Sequence, residues 1–64
     1  MYYFITYREV NRHHDMIIND ISKDQHPLYY LQDLKEEFPN NDYTLLFYSE
    51  IPEHIGEDLI EAFE

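Results

Sequence analysis

Residues 2–10, YYFITYREV, are rich in β-branched and aromatic side chains, the composition of an extended strand. The polar quartet Asn11-Arg12-His13-His14 interrupts the run as a turn. Residues 15–22, DMIINDIS, resume it as a second, weaker strand in which Asn19 and Asp20 break the apolar pattern. Two strands this close in sequence are joined most simply as a hairpin. The period then changes. Leu28, Leu31, Leu34 and Phe38 recur at helical spacing, Tyr30 lies one turn before Leu34, and Asp33, Glu36 and Glu37 fall away from that stripe. Pro27 suits the first helical position, where its missing N–H would have no partner in any case. Pro39 disfavours helical geometry at Phe38 and stops the helix there. Asn40-Asn41-Asp42 is a turn cluster. Residues 43–49, YTLLFYS, are apolar almost without a break, the pattern of a strand covered on both faces. Pro52 opens a second helix whose apolar face is Ile55, Leu59, Ala62 and Phe63. Within it, Gly56 costs about 1 kcal/mol relative to alanine.

The element order β-β-α-β-α defines an α+β domain. A hairpin, a crossing helix and a third strand give an antiparallel three-stranded sheet of order 2-1-3. Both helices are expected on one face, leaving aromatic residues of strands one and three exposed on the other. Tyr2, Tyr7, Tyr43 and Tyr48 cannot all be buried in so small a core, and an exposed apolar patch marks an interface.

Length limits what this order can build. Sixty-four residues make one domain, which buries only about 60% of the surface its unfolded chain exposes. No cysteine is present, so neither a disulfide nor a Cys-based zinc site can staple it. Seven Tyr and four Phe must supply the contact area instead. No apolar run approaches the ~18 residues of a membrane span. Met1-Tyr2-Tyr3-Phe4 carries no basic flank of the signal-peptide kind. The expectation is a cytoplasmic protein.

Charge narrows the range of partners. Fourteen Asp and Glu oppose four Lys and Arg, for a net charge of −10. Residues 1–23 cancel to zero, with Glu9, Asp15 and Asp20 against Arg8, Arg12 and Lys23. The rest of the chain holds eleven acids and only Lys35. Such a chain repels nucleic acid and membranes and favours a basic protein surface. On the second helix, Glu53, Glu57, Glu61 and Glu64 fall within a sector of roughly 80°. Carboxylates four residues apart rise about 6 Å along the axis, close to the ~6.8 Å between alternate phosphates of a DNA strand. The stripe is therefore a candidate nucleic-acid mimic. Glu53, Glu57, Asp58, Glu61 and Glu64 are its principal partner-binding residues, and Asp33, Glu36 and Glu37 of the first helix extend the field. The plainer alternative is a solvated helix face.

Other chemistries find less support. Adjacent histidines in His13-His14-Asp15 diverge in a turn. His54 and Asp58 lie four apart on one helix but lack an evident third metal ligand. Ser22 and Ser49 sit in no nucleophile motif, and a single glycine excludes a phosphate-cradling loop. A domain this small is expected to have little room for a catalytic pocket. No enzyme activity, cofactor or metal is expected. Arg8, Arg12, Lys23 and the His13-His14 pair are the only basic candidates, read as clustered near the first turn. They are too few for nucleic-acid binding but could meet acids of a second copy in a homodimer.

The tyrosine-rich opening strand, the helix start His26-Pro27-Leu28-Tyr29-Tyr30-Leu31 and the strand Tyr43-Thr44-Leu45-Leu46-Phe47-Tyr48 resemble small phage- or prophage-encoded proteins of unassigned function. Many small acidic phage proteins inhibit host enzymes that handle nucleic acid, including restriction, recombination and CRISPR machinery. The resemblance implies an inhibitor in a bacterial cytoplasm and assigns no residues. The resulting expectation is a non-enzymatic inhibitor or modulator with an acidic face. The alternative is a small module that self-associates through an aromatic sheet face.

Overall fold

The computed structural model describes residues 1–63. Strands β1 (Tyr2–Val10) and β2 (Asp15–Lys23) form a hairpin, helix α1 (Pro27–Glu37) follows, and β3 (Asp42–Ile51) leads into helix α2 (Glu53–Phe63). The sheet order is β2-β1-β3, with both neighbours of β1 antiparallel. The α+β class, element order and strand order are those the sequence implies.

The hairpin turn is fixed by Asn11. Its side-chain oxygen accepts from the backbone N–H of His13 (2.7 Å) and His14 (2.9 Å), which ties the chain back on itself. At the start of α1, Pro27 occupies the first turn, and the His26 ring nitrogen Nδ1 accepts from the Leu28 N–H at 3.2 Å. At its far end, Lys35 donates to the carbonyls of Pro39 (2.9 Å) and Asn41 (2.7 Å), which hold the loop into β3.

Side chains alternate across a strand, so β1 presents Tyr3, Ile5, Tyr7 and Glu9 to one face and Tyr2, Phe4, Thr6, Arg8 and Val10 to the other. Helix α1 packs on the first face. Ile5, Tyr7 and Leu31 form the core there, flanked by Tyr3, Ile18, Tyr30, Leu34, Tyr43 and Leu45. Leu28 and Phe38, placed on the helical stripe by spacing, are exposed. The seam actually used is Pro27, Tyr30, Leu31 and Leu34.

The expectation of two helices on one face is corrected. Helix α2 lies against Tyr2, on the face opposite α1. Tyr2 is 2% exposed, and a Cβ added to Gly56 would fall within 2.6 Å of Tyr2 Cβ. The residues of α2 that turn inward are therefore Gly56, with Leu59 and Ile60 half-buried, whereas Ile55 and Ala62 are exposed. The Phe63 side chain lies outside what is described. The tyrosines are redistributed accordingly. Tyr7 and half-buried Tyr43 pack under α1, Tyr2 under α2, and Tyr48 is exposed on the α1 side beside Tyr3 and His26.

The reading of residues 43–49 as a strand covered on both faces is also corrected. β3 is an edge strand, and Leu46, Phe47 and Tyr48 are exposed. A register shift between Thr6 and Tyr7 leaves Leu46 as an extra residue in β3. That bulge explains why the segment lacks the alternation of a strand with one polar face.

Candidate functional site

Among the sequence-predicted residues, the structure brings Glu53, Glu57, Asp58 and Glu61 together on the solvent side of α2, all exposed. The helix turns its Gly56 side to the sheet, so the carboxylates at 53, 57 and 61 lie roughly 60–140° around the axis from that seam. They form a flank rather than the outermost ridge. Glu64 lies outside the described residues. Asp33, Glu36 and Glu37 are exposed on α1, across the sheet from α2. They are not continuous with the α2 flank, so the seven described carboxylates among those predicted do not make one footprint.

The cations leave most of the α2 charge uncompensated. The Met1 ammonium binds Asp24 at 2.6 Å and reaches Glu53 at 3.9 Å. The Asp24 bond holds that carboxyl below its usual range and raises the ammonium. Lys23 extends over the Tyr2 ring, 5.6 Å from its centroid. The lysine pKa is raised first by its contact with Tyr2, and nearby Asp24 and Glu57 add to the effect. Arg8 pairs with Asp15 through two hydrogen bonds, which lower the carboxyl and raise the guanidinium. Lys35 is committed to the α1–β3 loop. Among the described residues, Glu57, Asp58 and Glu61 form no ion pair.

The expected basic cluster near the first turn does not assemble. Lys23 pairs with Tyr2 at the end of the sheet remote from the hairpin turn, and Arg8 is neutralised by Asp15. The His13-His14-Asp15 corner likewise dissolves into separate roles. His14 Nε2 meets the Glu9 carboxylate at 2.8 Å, and Asp15 serves Arg8.

Spacing gave no sign of the polar network at this end. Tyr43 Oη donates to Glu9 Oε1 at 2.9 Å, and Asn41 Nδ2 donates to Tyr43 Oη at 3.2 Å. Asn11 Nδ2 donates to Asn41 Oδ1 at 2.8 Å. Glu9, Asn11, Asn41 and Tyr43 thereby bind the hairpin turn to the α1–β3 loop. Glu9 and Tyr43 are far apart in the chain, and only the pairing of β1 with β3 sets them side by side.

A cleft of about 740 Å³ opens beside this network, with Arg12, His13, Glu37, Phe38 and Pro39 among its lining residues. Its volume is in the range of small-molecule sites. No serine or threonine lines it.

Fold and surface together define a small α+β domain with separated apolar and acidic regions, and no helix among the described residues is long and apolar enough to cross a membrane. No family model, curated protein or solved structure matches the chain.

Proposed function

We propose that this chain is a non-enzymatic inhibitor or modulator. It presents the carboxylate flank of α2 to the basic groove of a nucleic-acid-handling protein, such as a host defence or DNA-processing enzyme. The observation that supports the reading best is that Glu57, Asp58 and Glu61 stand exposed on one helix with no ion pair among the described residues. Holding them there carries a stability cost. Like charges four apart destabilise a helix by about 0.2–0.5 kcal/mol, and Glu61 sits at the end of the helix dipole that disfavours an anion. A surface kept only for solubility could place the same charges with less strain. The α1 carboxylates, across the sheet, contribute long-range attraction rather than direct contact.

The test is capture of binding proteins from a bacterial host lysate on the immobilised protein, eluted with a salt gradient. Partners held by the α2 flank elute early in the gradient, because salt screens the attraction. The double variant Glu57→Lys/Glu61→Lys fails to retain them. Retention unchanged by that double substitution rules the proposal out.

A further inference from the structure

Beyond the end covered by α2, none of the described residues covers the sheet face opposite α1. Phe4 and Phe47 meet there, their ring centroids 6.5 Å apart. Ile21 pairs with Phe4, and Ile17 pairs with Arg8 one strand over. Ile17 is 67% exposed and Phe47 is 55% exposed, whereas Phe4 and Ile21 are half-buried. We infer that this uncovered face is a self-association surface: two copies of the chain pack on each other through it, sheet on sheet.

Charge selects a second copy as the occupant. In a molecule of net charge −10, the face from Phe4 to Val10 and its cross-strand neighbours carries Arg8 and Asp15, which neutralise each other, and at its edge Asp42, which pairs with Lys35. It offers a basic partner nothing to recognise. It is also a region through which two strongly acidic molecules can meet without bringing like charges into contact. Part of its central polar surface is already engaged, since Thr6 Oγ1 donates to Asn19 Oδ1 at 2.7 Å and Arg8 donates to Asp15. Those bonded atoms can lose water without demanding complementary groups. A face of this kind complements itself, as the two-fold contact of a homodimer requires.

The area sets the strength. With strands about 4.8 Å apart and a rise of about 3.3 Å per residue, the open part of the face projects on the order of 300 Å² per copy. That places the contact below the ~1,200 Å² total of stable complexes, so the dimer is weak, with dissociation in the micromolar range or above. The surrounding acids repel across the contact, so added salt strengthens the dimer by screening. The opposite salt response is expected for a basic partner on α2, so the two proposals fail separately.

Sedimentation equilibrium from about 10 µM to about 1 mM, in low and high salt, tests the inference. The expected result is an average mass rising towards twice the monomer, more steeply in high salt. Phe47→Glu and Ile17→Glu replace exposed side chains, so both variants should fold, as checked by circular dichroism. Each places two unpaired carboxylates in the dried contact and raises the dissociation constant by about 100-fold or more. A wild-type chain that stays monomeric at both salts overturns the inference, as do folded variants that dimerise like wild type.

Discussion

Gly56 is the point at which α2 is fixed to the sheet, and Gly56→Ala tests that contact with two effects of opposite sign. In an isolated helix the substitution stabilises by about 1 kcal/mol, because alanine removes the backbone entropy that glycine brings to the unfolded chain. In this fold the new methyl group falls within 2.6 Å of Tyr2 Cβ and closer still to the ring. Tyr2 Cβ is anchored in the central strand and cannot swing away, so the helix must lift. Overpacking of this kind costs about 1–3 kcal/mol. Separating α2 from a ring that is now 2% exposed returns on the order of 100 Å² of apolar surface to water, or about 2.5 kcal/mol. The loss therefore outweighs the gain, and net destabilisation of about 1–2 kcal/mol is expected. Urea unfolding gives the total, and amide hydrogen exchange locates it. Protection should fall in α2 and persist in β1 and α1, which belong to the other packing layer. A cycle with Tyr2→Gly, which removes the Cβ as well as the ring, isolates the cause. Once both are gone, Gly56→Ala should become stabilising by up to about 1 kcal/mol. If Gly56→Ala in the presence of Tyr2 raises stability by the full helix-propensity gain, the helix does not rest on Tyr2 and the placement of α2 is wrong.

Two further predictions concern the α1 side. Burial raises the phenol pKa of Tyr7, Tyr30 and Tyr43, and the Asp20 carboxylate accepting from Tyr30 raises that phenol further. Phenols raised on folding favour the folded state while protonated, so their contribution is intact below 10.0, the ordinary value, and is lost as pH rises past it. Urea midpoints should fall between about pH 8 and about pH 11, and Tyr30→Phe should flatten the fall; a midpoint constant over that range contradicts the packing assigned to these rings. Glu9→Ala removes the acceptor of Tyr43 and the partner of His14, leaving half-buried groups without their bonds. A loss of about 1–3 kcal/mol is expected by urea unfolding, and a loss below about 0.3 kcal/mol would show the network to be decorative.

The parts of the fold legible in the sequence are those set by local chemistry. The β1 composition, Pro27 and Pro39 around α1, and the Asn-rich turns each fix a boundary through backbone geometry. The short hairpin and single crossing helix then leave the 2-1-3 sheet as the simplest arrangement. The side of the sheet taken by α2 was not legible, because it depends on the single residue Pro52 between β3 and α2 and on Tyr2, near the opposite end of the chain from that helix. Gly56 carried the clue. A glycine that weakens a helix suggests a close backbone approach, and its partner proved to be Tyr2. The unbroken apolar run of β3 misled because an inserted residue, together with exposed apolar side chains on both faces (Phe47 on one, Tyr48 on the other), gives the same string as full burial. Of the candidate site, the α2 carboxylates were placed together by their four-residue spacing. Their separation from Asp33, Glu36 and Glu37 follows from the same unpredicted crossing.

The central claim is that position on α2, and not net charge, makes the acidic surface recognisable. Two double variants test it directly. Glu57→Lys/Glu61→Lys and Glu36→Lys/Glu37→Lys each change the charge by +4, from −10 to −6, on opposite faces of the sheet. Host proteins bound to DNA-cellulose are challenged with each chain, and the displaced proteins are measured. The account predicts that wild type and the α1 variant release the same proteins while the α2 variant releases none of them. Equal release by the two variants, or no release by wild type, contradicts it.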